Sequence, residues 1–180
     1  MKNVLLVLTV VLLARAASSQ TFTVKSNDLG GQATDRQVFN GFGCKGENLS
    51  PQLSWTNVPA GTKSFAVTIY DENAPTGSGW WHWLIFDIPS SASELKSGAG
   101  NLNGNLAPAG AIQSITDFKM RGYGGPCPPE GSEHHKYTIT VYALKTEKLG
   151  LDANANPALV GFMLGQNVIQ KASLVFYYKR

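Results

Sequence analysis

Apolar and polar residues alternate in short bursts along this chain, mostly with the two-residue period of strands rather than the 3.6-residue period of helices. From Ser64 to Asp71 the alternation is strict, with Phe65, Val67 and Ile69 on one face and Ala66, Thr68 and Tyr70 on the other. His135 to Leu144 repeats it, with Tyr137, Ile139, Val141 and Ala143 in phase. Trp80 to Ile88 reads as an aromatic-rich strand closed by Pro89. Shorter strands are expected over residues 21–26, in the run from Ser50-Pro51 to Trp55, and over residues 173–178. One helix is expected, with Asn156 as N-cap, Pro157 at the first helical position and an end near Lys171. Residues 27–50 and 90–131 read as loops rich in Gly, Asn and Pro. The second is long for a compact domain, and such loops tend to be functional. The class predicted is mostly β (β-rich α+β), with antiparallel sheets packed together.

The first residues break this pattern. Lys2 precedes an apolar run from Val4 to Leu13, followed by the small-residue exit Ala14-Arg15-Ala16-Ala17-Ser18-Ser19. That is the architecture of a secretory signal peptide over residues 1–19, with cleavage expected after Ala16, Ala17 or Ser19. A spanning helix needs about 20 apolar residues, more than this run supplies. Residues 20–180 are then one exported domain, periplasmic or secreted, with no integral membrane segment in the mature chain. Hydrophobic residues make up 43% of the sequence and charged residues 15%, enough to build an ordered core. The formal charge of +3 includes Lys2 and Arg15; without them 13 basic residues face 12 acidic ones. No Lys/Arg stripe is present, so nucleic acid is not an expected partner.

Export also bears on Cys44 and Cys127, the only cysteines. Two thiols in an oxidising compartment usually pair, and closing so long a loop stabilises by about 4 kcal/mol or more. The alternatives are two free buried thiols or, less naturally, metal ligands.

The chemistry-bearing residues cluster at strand ends. Of the three histidines, His82 lies in Trp81-His82-Trp83, and His134 and His135 precede Tyr137. On strand parity His82 shares a face with Leu84, Phe86 and Ile88. His135 shares one with Tyr137, Ile139 and Val141, and Asp71 continues the face of Phe65, Val67 and Ile69. Three ionisable groups thus stand on faces otherwise assigned to the core. Once buried they need hydrogen-bonding partners. Either they satisfy one another in a single polar depression with the Tyr137 hydroxyl, or they are separate, individually satisfied residues. Nearby, Asp71-Glu72-Asn73-Ala74-Pro75 is a turn-forming strand exit. The stretch from Gly122 to Gly131 interleaves glycines with Pro126, Pro128 and Pro129, which suits a stiff rim whose backbone a ligand can approach.

These segments resemble, in order and spacing, the motifs of the phosphatidylethanolamine-binding protein family, in particular its bacterial Raf-kinase-inhibitor-like branch. Asp71 to Pro75 resembles the family's Asp-Pro-Asp-Ala-Pro. Trp81-His82-Trp83 resembles its His-Trp/His-Phe element, and Gly125 to Tyr137 its Gly-x-x-Pro-Pro-x-Gly-x-x-x-His-Arg-Tyr. The resemblance implies a large antiparallel sheet packed on a smaller one, with one or two peripheral helices. It implies a pocket for phosphate-like groups, to which Asp71, Pro75, His82, Gly125, His135 and Tyr137 correspond. Two departures stand out: Glu72-Asn73 in place of Pro-Asp, which removes one carboxylate, and Lys136 in place of Arg.

The expectation is a non-catalytic protein binding a small phosphate-like anion or phospholipid headgroup, with no cofactor or metal. Modulation of an unidentified partner protein is a further expectation. A kinase- or protease-inhibitor-like interaction protein, with the pocket secondary, is the main alternative. A hydrolase would need a nucleophile, and no Gly-x-Ser-x-Gly motif is present. A metal centre on the two histidines and one carboxylate is a third alternative.

Overall fold

The computed structural model describes residues 20–180; the signal-peptide reading of residues 1–19 lies outside them. In chain order the strands are β1 (Thr23–Lys25), β2 (Asn40–Gly41), β3 (Cys44–Lys45), β4 (Leu53–Thr56), β5 (Ser64–Asp71), β6 (Trp80–Pro89), β7 (Glu94–Leu95), β8 (Ile112–Gln113) and β9 (His135–Leu144). Helix α1 (Pro157–Asn167) and β10 (Val168–Tyr178) complete the chain. An antiparallel sheet in the order β10-β9-β5-β6-β8 packs on a smaller sheet, β1-β4-β7, while β2 and β3 pair separately.

The centre of the large sheet is buried on both faces. One face meets the small sheet: Phe65, Val67, Ile69, Trp83, Ile85, Tyr137, Ile139 and Val141 pack with Val24, Leu53, Trp55 and Leu95. On the other, Ala66, Leu84, Phe86 and Leu144 pack with Val160 and Leu164 of α1. A strand covered twice has no polar face, which is why β6 is apolar almost throughout.

Helix α1 starts as expected: the Asn156 side chain accepts from the Leu159 N–H and Pro157 follows. It ends four residues before Lys171. Val168 is already extended (φ −70°, ψ 134°), with its N–H closing the last turn onto Leu164 O. From there the chain pairs with β9, beginning with Val168 opposite Leu144. The β-branched Val168-Ile169 and the long ladder against β9 favour strand over continued helix. The long stretch 90–131 is not structureless either. It carries β7, a 3₁₀ turn at Leu102–Gly104 and β8, elements too short to show a period.

Two bulges in β6 overturn the parity expected for that strand. Phe65 faces Ile88 and Val67 faces Ile85, so β6 holds one residue more than β5 between these pairs. Asp87, in the left-handed region at φ 57°, lies in that segment. Ile69 faces Trp83 and Tyr70 faces Trp81, leaving His82 as the second extra residue. Trp81, Leu84 and Phe86 therefore pack on the helix side, whereas Trp83, Ile85 and Ile88 join the inter-sheet core. His82 does not share the face of Leu84 and Phe86. The bulge turns it to the side on which Asp71 and Tyr137 lie.

Candidate ligand-binding site

Asp71 ends β5 and His135 opens the adjacent β9, so antiparallel pairing brings them together with no further device. His135 Nδ1 lies 2.7 Å from Asp71 Oδ2, both side chains buried. The other carboxylate oxygen accepts the Asn73 N–H at 2.9 Å, which closes the turn after β5. The neighbouring departures from the family pattern serve the same corner. Asn73 Oδ1 accepts the Lys136 N–H at 2.8 Å, and Glu72 pairs with Lys136 Nζ at 3.0 Å on the surface. Such an exposed pair contributes no more than about 1 kcal/mol.

His82 is fixed by the glycine loop. Its carbonyl accepts the Gly124 N–H at 2.9 Å, and its ring Nδ1 lies 2.7 Å from Gly124 O. A carbonyl can only accept, so Nδ1 carries the hydrogen of the neutral ring. Burial lowers the His82 pKa from 6.5 to about 4. It outweighs the carbonyls of Gly124 and Gly125 and the charges of Asp71 and Asp117, all of which favour the charged form.

The His82 ring stands edge-on to Tyr137 at 5.1 Å and to Phe118 at 5.3 Å between centroids. Tyr137 is fully buried, and its hydroxyl has no hydrogen-bond partner among the described residues. Burial, reinforced by the charge of Asp71, pushes the phenol well above its ordinary value.

Asp71, His82, His135 and Tyr137 line one cavity of about 160 Å³. Its walls are apolar: Pro75, Pro128, Pro129, Trp80, Phe118 and Phe42. Phe42, 69% exposed, overhangs the mouth and stacks on Phe118 at 5.8 Å. The Cys44–Cys127 disulfide joins the segment carrying Phe42 to the proline-rich wall. Each ring has its Nδ1 engaged, on Gly124 O or on Asp71. Among the described residues neither Nε2 has a hydrogen-bond partner, and neither is sealed off, so these are the nitrogens the rings offer to the cavity. Asp71 is thereby committed to orienting an imidazole, which argues against the three side chains acting as a facial metal set.

Of the residues singled out in the sequence, Pro75 lines the cavity and Gly125 does not. The Gly125 N–H donates to Asn48 Oδ1 at 2.8 Å, and a Cβ there would lie 1.9 Å from Gln37 O. Its place in the motif is explained by close packing under the cavity wall. Trp80, Phe118 and Phe42 also line the cavity, although no motif in the sequence marks them as doing so. Trp80 stands opposite Asp71 in the β5–β6 register, but Phe118 and Phe42 come from loops without periodic signal.

The relatives of this chain agree with that architecture. It is 46% identical over 181 residues to the UPF0098 protein YbcL of Escherichia coli K12, covering 99% of each chain. It is 48% identical over 152 residues to YbhB of the same organism, covering 83% of this chain and 94% of that one. The crystal structure of E. coli YbcL, described as a new member of the mammalian PEBP family, superposes with a TM-score of 0.86 at 50% identity. That superposition covers 88% of this chain and 98% of the other. The family profile of phosphatidylethanolamine-binding proteins matches residues 30–179, and the chain belongs to that family.

Proposed function

We propose that this protein is an exported, non-catalytic binding protein whose cavity takes a small phosphate-type anion or a phospholipid headgroup. The observation that carries the reading is the pair of buried imidazoles, each anchored through Nδ1 and each presenting a free Nε2 to the same small cavity. Among the described residues lining the cavity the one sulfur, that of Cys127, is held in the disulfide rather than free as a thiolate nucleophile. That disulfide also suits the oxidising compartment expected from the leader-like residues 1–19.

The charge balance predicts how binding responds to pH. Asp71 is acidic and the His82 ring is held neutral, so a phosphate dianion needs an accompanying proton, on an imidazole or on itself. Affinity then falls as pH rises from about 6 to 8, and binding at the upper end takes up protons. Calorimetric titration with inorganic phosphate and with phosphoethanolamine, in buffers of different ionisation enthalpy, tests this. Saturable binding with proton uptake near pH 8 is expected. Absence of saturable binding by either compound, or proton release, contradicts the proposal.

A second reading, modulation of a partner protein, is favoured by one observation: Phe42 is an exposed aromatic at the mouth of the cavity. A partner meeting that rim would sense occupancy directly. Capture of such a partner should fail with Phe42→Ala while phosphate binding persists.

A further inference from the structure

We propose that the outward face of α1, continued by Ile169 and Val58, is a docking surface for an anionic lipid bilayer, held at its edge by Lys63, Lys145 and Lys171. This surface is separate from the cavity, and the proposal does not rest on what the cavity binds.

Helix α1 buries one side only. Val160 and Leu164 face the sheet. On the helical period Phe162 stands nearly opposite them, flanked by Ala158, Leu159, Gly165 and Gln166, all exposed. A surface helix ordinarily turns charged and polar residues outward. This one has no charged residue in its 11 positions, and Phe162 and Leu159 are 61% and 43% exposed. The apolar surface continues past the helix end. Ile169, 39% exposed, is the extra residue where the register shifts at the start of β10. Its side chain reaches the loop before β5, where a Cβ on Gly61 would lie 3.9 Å from Ile169 Cδ1. Val58, in the same loop, is 43% exposed.

Backbone hydrogen bonds place the lysines around this end of α1. The Lys145 N–H donates to the carbonyl of Asn167, the last residue of the helix, at 2.9 Å, and the Lys63 N–H donates to Leu144 O at 2.8 Å. Lys171 stands opposite Tyr142 and rests its Nζ 5.1 Å from the centre of that ring, which itself packs on the α1 core. All three lysines are exposed, and none pairs with an acidic side chain among the described residues. The acidic neighbours set the orientation. Asp87 is buried against Lys148, Glu147 shares a groove with Lys63, and Asp152 shares one with Leu159 near the start of the helix. The lysine-bearing end of α1 therefore leads.

Charge decides the occupant. Aromatic and aliphatic side chains ringed by unpaired lysines match a bilayer, whose headgroup–acyl boundary takes the apolar groups while anionic lipids attract the cations. Each lysine near such a surface strengthens binding by about fivefold. A second copy of the chain fits poorly. A helix about 16 Å long and about 10 Å across offers a few hundred Å² of face, well short of the roughly 800 Å² per partner in a standard interface. Two-fold pairing there would also bring the lysines of both copies together. The cavity lies elsewhere: Asp71 and Ser64 end β5 on opposite sides, about 23 Å apart. Soluble ligands of the cavity should therefore not compete with vesicles.

The test is vesicle co-sedimentation of the exported protein; anything kept of residues 1–19 is common to wild type and variants and cancels between them. Vesicles of equimolar phosphatidylcholine and phosphatidylglycerol should bind it saturably, and phosphatidylcholine alone far less. Binding should fall as salt rises from about 0.1 M to about 1 M, where the screening length shrinks to about 3 Å. Phe162→Ser should weaken it by about tenfold or more. Changing Lys63, Lys145 and Lys171 together to Gln should weaken it by on the order of a hundredfold and remove the preference for anionic vesicles. All four positions are exposed, so both variants should fold, and the wild-type lipid and salt series decides without them. Saturating phosphoethanolamine should leave vesicle binding unchanged. Absence of binding to the mixed vesicles, equal binding to neutral ones, or full binding by either variant overturns the proposal. Displacement by phosphoethanolamine overturns it by moving the contact to the cavity. A concentration-dependent dimer that Phe162→Ser dissolves overturns it by giving the face to a second copy. Failure of vesicle binding leaves the reading of the cavity standing, since calorimetry with soluble phosphate tests that separately.

Discussion

Replacing Cys44 and Cys127 together by alanine removes a covalent link between positions 83 residues apart. In the chain-entropy relation, closing a loop of that length lowers the entropy of the unfolded chain by about 15 cal/mol/K, or about 4.5 kcal/mol at 25 °C. The lost packing adds little, because alanine retains the Cβ of the buried Cys44 and fills most of its place. Unfolding of about 160 residues carries an entropy near about 0.34 kcal/mol/K, so the double variant should melt on the order of 13 °C lower. Urea unfolding followed by tryptophan fluorescence is the assay, with wild type in oxidising and in reducing buffer beside the variant. Reduced wild type and the variant should agree, and both should fall short of oxidised wild type by several kcal/mol. A loss below about 1 kcal/mol would contradict a loop-closure origin for the stabilisation. It would mean that the strands on either side of the bridge already confine the unfolded chain, or that folded-state strain offsets the gain.

The other predictions address single residues. Because folded His82 stays neutral to about pH 4 while the unfolded chain protonates it near 6.5, acid favours unfolding, and stability falls between those values by roughly 3 kcal/mol. A His82→Asn variant should lose correspondingly less between pH 7 and pH 4 in urea titrations; an identical pH profile contradicts the assignment. Gly125→Ala should destabilise by on the order of 2–3 kcal/mol, since its Cβ would meet the Gln37 carbonyl at 1.9 Å, and a neutral effect in the same assay would refute the packing role. Tyr137→Phe should leave stability unchanged or raise it by up to about 1 kcal/mol, because the buried hydroxyl makes no hydrogen bond of good geometry among the described residues, Asp71 being the group that influences it from nearby. A clear loss would show that the hydroxyl donates to Asp71.

What the sequence made legible depended on periodicity. Strands β5 and β9 announce themselves because each alternates in phase over its whole length, and the start of α1 is marked by Asn156-Pro157. Asp71 and His135 could be placed together from strand ends alone, since antiparallel neighbours bring the end of one strand to the start of the next. Simple parity groups His82 with them on a face that the structure does not give it. A single extra residue in β6 inverts its face, and no local signal in Trp81-His82-Trp83 marks the bulge. Helix α1 stops short of the end expected near Lys171 because residues 168–171 are decided by pairing with β9, a contact across more than twenty residues. Phe42 and Phe118 reach the cavity from loops whose paths are fixed by the disulfide and by hydrogen bonds such as that of Gly125 to Asn48. None of these partners is adjacent in sequence.

Side-chain ¹⁵N NMR of the histidines reads the two buried imidazoles themselves. With only three in the chain, each ring can be assigned, and the exposed His134 serves as an internal control. At pH 7 without ligand, His82 should show the neutral ring protonated at Nδ1, with Nε2 as a free lone pair. Titration with phosphoethanolamine should move the Nε2 signals of His82 and His135 together, saturably, and leave His134 unchanged. Unmoved signals of His82 and His135 at saturating phosphoethanolamine, or a free His82 ring protonated at Nε2, would contradict the account.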